Sequence, residues 1–200
     1  MTLLLIIKIK SNLINYEPID QNGLTETIKI HFTHGSINPR DCFNGYSRLG
    51  GLLGGHVEVE IDSTIYGFIY DALPVEVFPD DDINSKIENI NLPEWEKQTK
   101  EFRVTTISLE ITSEQKNSLE KRLNANLLIP KYDYSFFGQR CTSFLAYILG
   151  KEKIINPMSK FESSITYFYP RQFRHTLLKF ALTHNYDVEF RKGIECVIWE

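Results

Sequence analysis

Cys141 opens an apolar run, Cys141-Thr-Ser-Phe-Leu-Ala-Tyr-Ile-Leu149, that reads as a helix with no clean polar face, packed inside the molecule and stopped by Gly150. A thiol in the first turn of such a helix meets unpaired N–H groups and the positive end of the dipole, which favour the thiolate. An imidazole beside it can take the thiol proton and return it to a leaving group, while a carboxylate holds the ring by its other nitrogen. His56 fits that role. It begins His56-Val-Glu-Val-Glu-Ile61, a strict alternation that sets Val57, Val59 and Ile61 on one face of a strand and His56, Glu58 and Glu60 on the other. A turn at Asp62 to Thr64 and a second β-rich run, Ile65 to Tyr70, complete a hairpin. A loop at Ser63 and Thr64 would pair Ile61 with Tyr66 and His56 with Asp71; a one-residue change would pair His56 with Tyr70. Asp71 and Glu58 are therefore the carboxylates that could orient the ring. The plainer alternative makes Cys141 a small apolar side chain of a buried helix.

Other reactive residues fit structural roles better. Cys42, beside Arg40 and Asp41 in a glycine-dense loop, is a rival nucleophile without a helix N-terminus to activate it. Cys196 alternates with Ile194 and Ile198 and reads as a buried strand thiol. His31 and His34 have the spacing of metal ligands on a helix, but Thr27 to Phe32 alternates as a strand, where the two would point to opposite faces. His175, near Arg171 and Lys179, reads as a basic flank, and His184 as surface. Asp80, Asp81 and Asp82 open an acidic excursion to about Lys100 that reads as a solvated loop rather than a calcium site. Tyr132, Tyr134, Phe136 and Phe137 form an aromatic approach to Cys141. Most of these rings suit the core, and a Tyr hydroxyl could face a developing oxyanion.

The positioning elements follow the same logic. Leu3 to Ile9 reads as a buried strand and Phe102 to Ile111 as another, while Gly45 to Gly55 reads as a mobile lead-in whose paired glycines lack the spacing of a phosphate-cradling loop. Thr112-Ser-Glu-Gln115 has the form of a capping box ahead of Leu119, Leu123 and Leu127, a helix over about 113–127. A second amphipathic helix covers about 170–182, and Val188 to Trp199 holds two short strand-like runs. Strands followed by helices make an α+β pattern in one domain, 1–200. The 200 residues are 42% hydrophobic and 12% aromatic, enough to bury a core, which excludes a disordered or fibrous chain. A net charge of −4 lacks the clustered positive field of nucleic-acid binding. No signal peptide or apolar stretch long enough to span a membrane is legible, and 3 cysteines suit a reducing compartment. A cytoplasmic protein is expected, or one exported by a non-standard route.

One resemblance joins these pieces. Ile30-His-Phe-Thr-His-Gly-Ser36, Gly55-His-Val-Glu-Val-Glu-Ile61 with Tyr66-Gly-Phe68, Tyr132-Asp-Tyr134 and Cys141-Thr-Ser-Phe144 resemble the circularly permuted papain-like hydrolases. These are the permuted NlpC-like proteins, including YiiX-like, lecithin:retinol acyltransferase-like and PPPDE-like members. The resemblance covers about 27–150, leaving an inserted loop at 72–101 and an extension at 151–200. It implies an antiparallel sheet packed on a central helix carrying the Cys, with Cys141 as nucleophile and His56 as base. Asp71 is then the best-placed orienting residue, ahead of Glu58 and Tyr66. It also implies an acyl-thioester intermediate on a peptide, peptidoglycan-like or lipid acyl substrate, cleaved by peptidase, amidase or acyltransferase chemistry, with no metal or organic cofactor. The alternative is a non-catalytic peptide-, glycan- or lipid-binding protein on the same scaffold.

Overall fold

The computed structural model describes residues 23, 26–35, 55–71, 76–81, 83–129 and 131–193; Leu3 to Ile9, Cys42, nearly all of the glycine-dense loop and Cys196 lie outside them. Strands β1 (Glu26–His34), β2 (Gly55–Ile61), β3 (Thr64–Tyr70), β4 (Ser85–Asn91), β5 (Val104–Ile111) and β6 (Val188–Arg191) form an antiparallel sheet in the order β4-β3-β2-β1-β5-β6. The alternation seen in the sequence decides its faces. Ile30 lies between Val59 of β2 and Ile107 of β5, and Phe32 lies opposite Val57. This face is covered by α2 (Ser113–Leu128), α3 (Cys141–Lys151) and α5 (Pro170–His184), which bury Leu119, Leu123, Phe144, Ile148, Phe173 and Leu177 against it. Each such side chain withdrawn from water contributes about 1.5–3 kcal/mol. On the opposite face α1 (Leu92–Thr99) packs Trp95 against Ile65 and Val104. A further helix, α4 (Lys160–Thr166), links α3 to α5.

Helix α2 starts as its capping box requires: Thr112 Oγ1 accepts the Gln115 N–H at 3.1 Å and Gln115 Oε1 accepts the Thr112 N–H at 3.0 Å. Elsewhere the structure corrects the sequence reading. The segment read as a solvated loop to Lys100 contains β4 and α1. β4 is an edge strand with few apolar residues, and α1 buries one large side chain, so neither shows a strong period. The usable signal was at its start, where Asn91 accepts the Glu94 N–H at 2.9 Å and a proline stands in the first turn. Gly150 does not stop α3, which runs on to Lys151. A Cβ there would come within 3.1 Å of the Asn156 carbonyl oxygen, so glycine lets the following loop pass close to the helix.

The β2–β3 turn is the correction that matters most for the site. Asp62 and Ser63, with φ of 49° and 65°, form the two-residue loop, and Ile61 therefore faces Thr64. Asp tolerates the left-handed region, and Lys116 on α2 holds the Asp62 carboxylate at 2.8 Å and that of Glu26 at 2.9 Å. Glu58 thereby lies opposite Gly67, and continuing the same register sets His56 against Ile69 rather than Asp71.

Candidate active site

His56, at the start of β2, lies against the sulfur of Cys141, the first residue of α3. Ser143 closes the helix start by accepting the Arg140 N–H at 2.8 Å, leaving the sulfur at the positive end of α3. Cys141 is 6% exposed. The β2–β3 ladder ends at Glu58 and Gly67, and beyond it the Val57 N–H faces the Cys141 sulfur. The Thr142 hydroxyl lies 3.7 Å from the same atom. Burial pushes the thiol pKa up, but the His56 charge and hydrogen bond, helped by Thr142 and Val57, hold it below the ordinary value. Burial would push the His56 imidazole down; the Cys141 thiolate, with Glu58 and Glu88, instead raises it to about 9. The two shifts run in opposite directions because each group favours the charged form of the other.

Of the two orienting carboxylates considered, Glu58 stands beside His56, with Oε1 3.9 Å from Nε2. Its other oxygen accepts the Trp95 indole N–H at 2.6 Å. Gly67 opens the space between them, since a Cβ there would lie 3.3 Å from both Glu58 Oε1 and His56 Nε2. Asp71 is placed elsewhere. Its carboxylate is more than half exposed and pairs with Lys86 at 3.0 Å, while its N–H donates to the Asn84 carbonyl at 2.7 Å. Neither Trp95 nor Gly67 was legible as a site residue.

The aromatic approach contributes both core and site. Tyr134 stacks on Phe68, with ring centroids 5.4 Å apart, and its N–H donates to Asn84 Oδ1 at 2.8 Å. Its hydroxyl lies beside Cys141, and burial together with the adjacent sulfur holds the phenol well above its usual pKa. Tyr132 packs edge-on to Phe144, whereas Phe136 and Phe137 are about half exposed. Next to this approach a cavity of about 300 Å³ is lined by Tyr132, Phe137, Gln139, Lys160 and Phe161. The Arg140 guanidinium lies 3.4 Å over the Phe168 ring and donates to the Phe136 and Ser164 carbonyls.

The remaining candidates are placed in structural surroundings. His31 and His34 point to opposite faces, as the strand reading required. His31 meets Glu60 at 2.8 Å and Thr106 at 2.9 Å, and His34 meets Thr105 at 2.8 Å and Arg174 at 2.6 Å. His184 is half-buried on Phe180, with Nδ1 2.8 Å from the Phe180 carbonyl oxygen, not simple surface. In the acidic excursion Asp80 meets Glu76 and Asp133, with carboxylate oxygens within 4.8 Å of one another. Among the described residues no helix is long and apolar enough to cross a membrane.

No family model matches the chain, and no curated protein does. Among solved structures, the crystal structure of the type VI secretion system effector TseH is similar at 15% sequence identity and a TM-score of 0.43, covering 75% of this chain and 88% of that one.

Proposed function

We propose that the protein is a cysteine-dependent hydrolase or acyltransferase on a permuted papain-like scaffold, in which the strand histidine precedes the helix cysteine. The observation that carries this reading is the placement of Cys141 at the N-terminus of a buried helix with the His56 imidazole against its sulfur, so that each group moves the other's pKa. The thiolate attacks the carbonyl carbon of an amide, ester or thioester, and the carbonyl electron pair moves onto oxygen. The Cys141 N–H, in the first turn of α3, is the backbone donor placed to meet that developing charge, and the buried Tyr134 hydroxyl lies beside the same residue. As the bond to the leaving group breaks, the His56 imidazolium gives it a proton, leaving an acyl-thioester. Water or a second acceptor then attacks the thioester while His56 takes its proton, and the sulfur is released. Glu58, not Asp71, holds the imidazolium. A peptide, peptidoglycan-like or lipid acyl group suits this chemistry.

The test is the pH dependence of iodoacetamide labelling on native protein, with the modified cysteine located by peptide mass spectrometry. Selective labelling of Cys141 well below pH 8, with the midpoint moving upward in His56→Ala, is expected. Reaction at Cys42 alone would move the nucleophile there. An inert Cys141, or one that titrates identically without His56, would leave a binding protein on the same scaffold as the better reading.

A further inference from the structure

Behind the Cys141–His56 pair, on the face of the sheet opposite the main core, one indole is built into the site by contacts on every side. Trp95 is 3% exposed and packs with Ile65 and Val104. Its ring lies 4.4 Å from that of His31, and Arg191 stands over it at 5.3 Å. His31 is itself held by Glu60 and Thr106, one on each ring nitrogen, so the ring against the indole is fixed in orientation by two hydrogen bonds. The indole nitrogen has one hydrogen to give, and gives it to Glu58 Oε2 at 2.6 Å. A glutamate on a strand has three rotatable side-chain bonds, and this hydrogen bond selects the conformation that leaves Oε1 beside His56 Nε2. Gly67, directly across the ladder, leaves room for that arrangement.

We propose that Trp95 is a positioning residue for the Cys141–His56 pair: its indole N–H fixes the Glu58 carboxylate, and Glu58 so fixed favours the imidazolium form of His56. The inference rests on the reading of Cys141 as nucleophile and adds a residue to it. The edge unit β4–α1 thereby acquires a role, since it delivers Trp95 to the back of the site. The titratable groups facing His56 are Cys141 from α3, Glu58 on its own strand and Glu88 from β4; those facing Trp95 are His31 from β1 and Arg191 from β6.

The experiment compares the pH profile of Cys141 alkylation by iodoacetamide in the full chain, in Trp95→Phe, in Glu58→Gln and in the double variant. Loss of the indole N–H should move the labelling midpoint upward by about half a pH unit or more, since an opposite charge at this range commonly shifts a pKa by about one unit or more. The double variant should move no further than Glu58→Gln alone, because both changes break one chain of contacts. A Trp95→Phe profile that coincides with the wild type, or shifts that add in full, would overturn the proposal. If Trp95→Phe fails to fold, replacing Trp95 with benzothienylalanine keeps the ring shape and removes only the N–H, with the same two outcomes. A wild-type Cys141 that titrates as an ordinary thiol would instead sink the nucleophile reading, and this is seen before any variant is made.

Discussion

The backbone N–H of Val57 faces the sulfur of Cys141, and it can do so because strand pairing between β2 and β3 stops one residue further on, at Glu58 and Gly67. The sulfur therefore sits at an opening in the sheet. One donor comes from a strand, one positive end from a helix and one imidazole from the strand's first turn of alternation. Such an arrangement costs little to the core, because the same helix still buries Phe144, Leu145 and Ile148 beneath it.

Removing either member of the pair should therefore abolish chemistry while sparing the fold. With p-nitrophenyl acetate as acyl donor, Cys141→Ala and His56→Ala should each lose the release of p-nitrophenolate that accompanies thioester formation. Their thermal midpoints should stay near that of the wild type, whereas Leu123→Ala should cost about 2–5 kcal/mol, as truncation of a buried leucine does. Full acylation in Cys141→Ala would contradict the assignment.

The charge on His56 depends on the sulfur. With the thiolate present its pKa is raised to about 9, against the opposing effect of burial. Taking the thiolate away leaves the burial. In Cys141→Ser the His56 ring protons, followed by NMR through a pH titration, should show a pKa lower by more than about one unit. In the wild type the imidazolium is then present at neutral pH and is lost as the pH rises through about 9. A titration unchanged by the serine substitution would show that the two groups do not share a proton.

Gly67 is required for space, not for backbone freedom. A methyl group there would press on both Glu58 Oε1 and His56 Nε2 at 3.3 Å, forcing one of them to move by a few tenths of an ångström. Gly67→Ala should slow Cys141 alkylation at neutral pH by several-fold while the far-ultraviolet circular dichroism is unchanged; an unaltered rate would mean that the carboxylate and ring have slack.

The turn that sets the register can be improved. Ser63 holds a φ of 65°, a region that costs a non-glycine residue about 1 kcal/mol. Ser63→Gly creates the Asp-Gly pair that such two-residue turns favour, and should raise the thermal midpoint by about 2–4 °C for a chain of this size. A lower midpoint would argue that the serine side chain stabilises the turn in another way.

The sequence by itself determined the alternation of His56 to Ile61, the shared face of His56, Glu58 and Glu60, the capped start of α2, and the buried helix that begins at Cys141. These are local properties: a period of two or of 3.6 residues, and a cap whose partners are three positions apart. It could not determine which carboxylate meets the imidazole. That choice hangs on a turn one residue away from the expected one, because shifting the loop from Ser63–Thr64 to Asp62–Ser63 moves every cross-strand pair and carries Asp71 out to Lys86. Nor could it place Trp95, which lies in a polar edge segment and reaches Glu58 only once β4 pairs with β3 and α1 folds back across the sheet. The meeting of Cys141 with His56 was decided the same way, by helix packing between distant parts of the chain, which no local pattern encodes.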